Sequence, residues 1–270
     1  YTTLFRSLKD HGMTYQVLKS KELLKLEPSL KGAEHRLCGG VYFPDDQAGN
    51  AYQFTCEMEV KARNLGVSFH YGVSVNKMIR EGEKITKIIT SEGEVNSNMF
   101  ILCTGSYSMP LARTASLNIP VRPAKGYSLT IPINGWKSGP RMPLIDDGSH
   151  LAITPLGDTI RIAGAAEFSG YDRQIKKNRI GKLYDLLDEI YPQFSPYLER
   201  DKVKEWSGLR PLTPDGSPYI GRTPIKNLYL NTGHGPLGWT MAAGSAKMLS
   251  NIIDGKKTIL NENNYCLNRH

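Results

Sequence analysis

Near the end of this chain, Gly233, His234, Gly235, Pro236, Leu237 and Gly238 form a glycine-rich run between a short β-rich stretch at 228–231 and a helical pattern. That spacing fits G-x-G-x-x-G in the strand–turn–helix setting of a dinucleotide fingerprint. A Rossmann unit would continue into a second parallel strand ending in an acid for a ribose. Here the chain reaches His270 with only Asp254, at a helix end, near the required distance. A Rossmann unit is therefore the lesser expectation, and two other uses of the same geometry stand beside it. Glycines allow a backbone to approach a planar ligand, and a helix start offers free N–H groups carrying about half a positive charge. Such a turn suits a flat cofactor that gains negative charge on reduction. The plainer use is tight packing of a helix on a strand.

Periodicity supplies the rest of the outline. Within 47–65, Phe54, Met58, Ala62 and Leu65 recur at helical spacing with Gly66 as a C′ residue, which predicts a helix with one buried stripe. Residues 67–71, 85–90 and 99–103 read as short strands, with turn-forming Gly82 and Gly93 between them. Strand patterns return at 127–133, 150–155 and 159–163, and Gly157 with Asp158 forms a hairpin turn, so this region is expected to be antiparallel. Ile180, Leu183, Leu187 and Ile190 mark a second helix that must stop before Pro192. A last helix carries Met241, Ser245, Met248 and Ile252 on one face and ends near Gly255.

Composition removes several classes of function. The excess of 34 Lys+Arg over 26 Asp+Glu gives a net charge of +8, but the basic residues are scattered and none alternates with aromatics, so nucleic acid is not an expected partner. Cys38, Cys56, Cys103 and Cys266 lack CxxC spacing, which argues against a metal site or a disulfide framework and for a reducing compartment. No apolar stretch approaches the roughly 20 residues that cross a bilayer, so any membrane contact is expected to be peripheral. The chain opens on Tyr1, and the expectation is that it starts inside a larger protein.

Longer motifs are more specific. WSGLRPLTPDGSP at 206–218, IGRT at 220–223 and NTGHGPLGWT at 231–240 resemble the C-terminal signature of the D-amino-acid oxidase superfamily, and within it the bacterial D-amino-acid dehydrogenase small-subunit branch. KGYSLT at 125–130, and 161–167 followed by Gly170 and Tyr171, resemble the middle region of that branch. The resemblance runs from about His11 to Gly255. It implies an α/β plus α+β fold: a truncated FAD-binding domain of glutathione-reductase-like type (45–110 and 206–256), an antiparallel-sheet substrate domain (1–44 and 111–205) and a C-terminal tail (257–270). The N-terminal βαβ unit with its own G-x-G-x-x-G has no match before Arg63.

By the same resemblance the cofactor is FAD. It would be met by the main chain of Val75, by Thr104 and Gly105, and by Gly233, His234, Gly235, Pro236, Leu237, Gly238 and Trp239. Arg210 matches the arginine that grips the substrate α-carboxylate, its alternatives being a loop cap or a partner for Asp215. Cys103 stands where alanine is usual and reads as a small buried core residue. Ala152 takes the place of the oxidases' second carboxylate-binding tyrosine. Tyr127 is the candidate replacement, with a buried structural tyrosine equally open. His234 would tune the flavin's charge or guard the site, or else serve only as a backbone-bonded residue; no acid–base catalyst is assigned.

The implied reaction is oxidative deamination of a D-amino acid. Hydride passes from Cα to flavin N5, and the imino acid is hydrolysed to a 2-oxo acid and ammonia. Alternatives are the same chemistry on D-proline, hydroxyproline, glycine or sarcosine, and, in another class, a non-catalytic fragment without cofactor. The resemblance further implies a quinone or respiratory-chain acceptor and a place in the bacterial cytoplasm, where a basic surface suits peripheral contact with the anionic inner face of the membrane.

Overall fold

A computed structural model describes residues 7–8, 10 and 12–269 of the chain. In chain order its first half contains β1 (Gln16–Lys19), α1 (Ser20–Leu26), β2 (Gly39–Tyr42), α2 (Ala51–Asn64), β3 (Val75–Glu81), β4 (Lys84–Thr90), β5 (Gly93–Asn96), β6 (Phe100–Leu102) and α3 (Ser108–Arg113). There follow β7 (Arg122–Pro132), β8 (Leu144–Asp146), β9 (Leu151–Leu156), β10 (Thr159–Glu167), α4 (Lys177–Ile190), β11 (Lys204–Leu212), β12 (Tyr219–Arg222), β13 (Leu228–Thr232) and α5 (Gly238–Ile253). They fall into two compact units, one of Tyr1–Phe54, Gly126–Ala165 and Gln174–Ser207, the other of Thr55–Lys125, Ala166–Arg173 and Gly208–His270.

The first unit is organised by strand alternation. Five strands are ordered β11-β7-β10-β9-β8, with β9 antiparallel to both β10 and β8, as the Gly157 turn (φ +65°) predicts. Tyr127, Leu129 and Ile131 of β7, Leu151 and Ile153 of β9, and Ile160 and Ile162 of β10 all enter one core. Side chains alternate across a strand, so Ser128, Thr130, Ala152, Thr154, Arg161 and Ala163 occupy the opposite face. The apolar face is covered by α4, whose Ile180, Leu183, Leu187 and Ile190 are buried together with Tyr184 and Leu186. Each such aliphatic side chain contributes roughly 1.5–3 kcal/mol by leaving water. The helix ends at Ile190, and Pro192 starts the next turn, as expected from a residue without an N–H. Buried Glu27 ties a loop to this core. It accepts from the Ser29 hydroxyl at 2.6 Å and from the amides of Arg141 and Met142 at 2.7 and 3.1 Å.

In the second unit β13 pairs antiparallel with β12 and parallel with β6. Helix α5 buries Met248, Leu249 and Ile252 against Ile220 and Tyr229, and Gly255 (φ +68°) follows it. No strand follows α5 among the described residues. The chain instead turns back so that Ile220 donates to the Tyr265 carbonyl at 2.9 Å. A separate antiparallel sheet is ordered β3-β4-β5.

Two local expectations fail here. Residues 67–71 form no strand: their β-rich composition finds no partner backbone, and the Arg63 guanidinium lies over the Phe69 and Tyr71 rings instead, 4.9 and 6.0 Å from the centroids. Helix α2 forms, with Gly66 (φ +87°) behind it, yet Phe54, Met58 and Leu65 are exposed and none of its residues is buried. Helical spacing reports that a face is apolar, not that anything covers it.

Candidate functional site

Three segments of the second unit converge on one another. The first is the run from β13 into α5. Gly233 has φ +84°, and a Cβ there would lie 2.6 Å from the Thr213 methyl, so both conformation and space require glycine. Gly235 (φ +54°) opens a single 3-10 turn and Gly238 opens α5. No side chain caps either start, which leaves N–H groups and the positive end of the helix available to a ligand or to water. Pro236, Leu237 and Trp239 are exposed. His234 lies half-buried, its Nε2 3.0 Å from the Ser245 hydroxyl, and burial pushes its pKa down, so the ring is neutral at pH 7. The ring is thus held by a side chain of α5.

The second segment follows β6. Thr104 precedes Gly105 (φ +53°), which opens the 3-10 turn leading to α3. A chain of hydroxyls joins this turn to the first. Thr104 Oγ1 is 3.1 Å from Ser108 Oγ, Ser108 Oγ is 2.7 Å from Thr232 Oγ1, and Thr232 donates to the Gly105 carbonyl at 3.2 Å. Ser108 and Thr232 are buried, so each bond is made away from competing water.

The third segment is the end of β11 that belongs to this unit, residues 208–212, and it carries Arg210. Ser106 donates to the Leu209 carbonyl at 3.1 Å. Pro211 is 3.9 Å from where a Gly105 Cβ would stand, and Leu212 is 3.5 Å from the same point on Gly235. Arg210 is half-buried, and desolvation lowers its pKa from the ordinary value, though a guanidinium stays charged at any working pH. The carboxylate of Asp215 is gripped by Arg269, which donates from Nε and Nη2 at 2.8 Å each. Arg269 also donates to the Ser217 and Pro218 carbonyls at 2.7 and 3.0 Å. This clamp was missed by sequence reasoning, as was the hydroxyl chain.

A fourth contact braces the Gly105 turn. Tyr171 donates to the Ser106 carbonyl at 3.2 Å and its ring lies against Tyr107. Next to it, Asp172 meets the fully buried Lys125 ammonium at 2.8 Å, with Glu167 at 3.8 Å.

The other sequence candidates lie elsewhere. Val75 is exposed at the start of β3, beside a register shift in the separate β3-β4-β5 sheet. Cys103 is exposed where a buried core residue was expected, because it lies just past the last paired residue of β6; nearby protein still raises its thiol pKa. Tyr127 is buried in the apolar core of the first unit, on the strand face shared with Leu129 and Ile131.

What could the convergent segments hold? Thr213 Oγ1, against Gly233, and Asn231 Oδ1, on the strand leading into that turn, are buried without a hydrogen-bond partner among the described residues. With two glycine-started turns and uncapped amides, this donor set fits a flat ring system with polar edges.

The family model for FAD dependent oxidoreductases (DAO) matches residues 2–252, and the chain belongs to that family. Among its relatives, the D-amino acid dehydrogenase of Allorhizobium ampelinum is 39% identical over 265 residues, covering 98% of this chain and 62% of the relative. That of Vibrio vulnificus (strain YJ016) is 40% identical over 251 residues, covering 93% and 60%. The chain thus spans about 60% of the length of the curated relatives it matches. Glycine oxidase from Geobacillus kaustophilus superposes with a TM-score of 0.88 at 21% identity, over 99% of this chain and 71% of that one. L-proline dehydrogenase from P. horikoshii gives 0.84 at 20%, over 97% and 70%. These structures share the fold.

Proposed function

We propose that this chain supplies the substrate-gripping and flavin-facing part of an FAD-dependent D-amino-acid dehydrogenase. The observation that carries the reading is the hydrogen-bonded junction of the Gly105 turn, the Gly233–Gly238 turn and the strand of Arg210. When bound, FAD supplies the acceptor for the two electrons and the hydride. The turn opened by Gly235 and the positive end of α5 would hold its pyrimidine edge and favour negative charge there. Arg210 would take the substrate carboxylate in two parallel charge-assisted bonds and so orient Cα–H. Neutral His234, fixed on Ser245, would keep cationic charge out of the site.

Electrons would leave to a quinone or respiratory-chain acceptor at the inner face of a bacterial membrane. A net charge of +8 supports weak electrostatic attachment there. No helix among the described residues is long and apolar enough to cross a membrane.

The test is anaerobic flavin bleaching by D-alanine in a protein extended to the length of its relatives. Bleaching with release of pyruvate is expected. Arg210→Met should lower kcat/KM at least ~100-fold, the scale of a lost bidentate charged contact. A yellow protein that no D-amino acid reduces would overturn the reading.

A further inference from the structure

We infer that the face of the five-stranded sheet turned away from α4 contains an anion subsite, with Arg161 as its clamp and Ser128 as a second donor, and that its ligand is an organic carboxylate.

The argument starts from alternation. Ile160 and Ile162 enter the α4 core, so Arg161 between them must face the other way. Tyr127 and Leu129 do the same in β7, which puts Ser128 on the same side as Arg161. The register sets Arg161 opposite Thr154 and Ala163 opposite Ala152. The residues flanking the guanidinium in β9 are therefore short, and none is acidic.

Two polar atoms on this one face are orphaned. Arg161 Nε and Ser128 Oγ are both buried, and neither has a hydrogen-bond partner among the described residues. Native folds nearly always satisfy such atoms. Here the Nε of a half-buried arginine and the hydroxyl of a buried serine, from neighbouring strands β10 and β7, are both left without a partner.

The donor set selects the ligand class. A planar guanidinium matches a carboxylate in two parallel bonds, and one hydroxyl can reach a remaining lone pair. Phosphate sites usually gather several main-chain N–H groups at a helix start. Strand amides at this face are engaged in the sheet. The choice of a carboxylate over other anions rests on the proposed amino-acid substrate; the existence of the anion site does not.

The experiment titrates the whole chain with sodium propionate at constant ionic strength, following the arginine Nε–Hε signals by NMR. Propionate has no amine to oxidise, so its binding is independent of whether a D-amino acid reduces the flavin. The Arg161 signal should move to saturation. Arg161→Gln should abolish the response, Arg161→Lys should weaken binding at least 10-fold, Ser128→Ala should weaken it several-fold, and Arg210→Gln should leave the Arg161 signal moving. A linear, unsaturated drift, an equal response to chloride or phosphate, or undiminished affinity in Arg161→Gln overturns the proposal. Should Arg161→Gln fail to fold by circular dichroism, unchanged affinity in Arg161→Lys and Ser128→Ala overturns it equally.

Discussion

Arg269 and Asp215, 54 residues apart in the chain, form a clamp of two 2.8 Å bonds around the loop that follows Arg210. The Arg269 guanidinium also lies over the Tyr219 ring, 3.9 Å from its centroid. Replacing Arg269 by glutamine should cost about 1.5–3 kcal/mol at pH 7, the usual range for hydrogen bonds to charged groups. The pH dependence has a definite sign. Arg269 holds the Asp215 carboxyl well below the usual range, so its contribution is complete above the unfolded pKa of about 3.9 and fades as pH falls toward the folded value. The difference in Tm between the variant and the parent should therefore be large at pH 7 and shrink at pH 3; a gap that stays constant with pH would reject the clamp as an ionic one. Sequence reading gave Asp215 no partner beyond a pairing with Arg210 held as one alternative to its carboxylate grip, and nothing in a terminal run such as Leu267-Asn268-Arg269 marks the side chain that folds back. Tyr127 shows the same limit. Alternation assigns it a face, but only α4 packing on that face says that it is the buried one.

Helix starts and strand ends were easier to read than their coverings. The stripe of α4 and the turn at Gly157 were legible because both the signal and its partner lie within one local stretch of chain. The stripe of α2 carried an equally good pattern and lies uncovered. Glycines within one element can likewise be told apart only once their surroundings are known. Gly233→Ala combines a left-handed φ with a 2.6 Å clash, and should destabilise the chain by at least ~2 kcal/mol. Gly244 lies in the middle of α5 with nothing within 4 Å of its missing Cβ, so Gly244→Ala should stabilise by about 0.5–1 kcal/mol. Urea denaturation of both variants checks the pair, and equal effects would show that the Gly233 turn is less tightly packed than described.

At the scale of the molecule, the family and its mixed α/β architecture could be read from motifs at 206–240, whereas the parallel pairing of Leu228 with Phe100 could not, since no local pattern links residues so far apart. Among the described residues, that pairing leaves β6 as the last strand of its sheet. Ile101 in it is exposed, as are Met99 and Cys103 on either side. A bare, uncharged strand rim is a template for adding another strand. Concentrated solutions should accordingly scatter light increasingly as clusters grow, and a single gatekeeping charge, Ile101→Lys, should hold the particles at monomer size; identical scattering from both proteins would mean that this rim is already shielded.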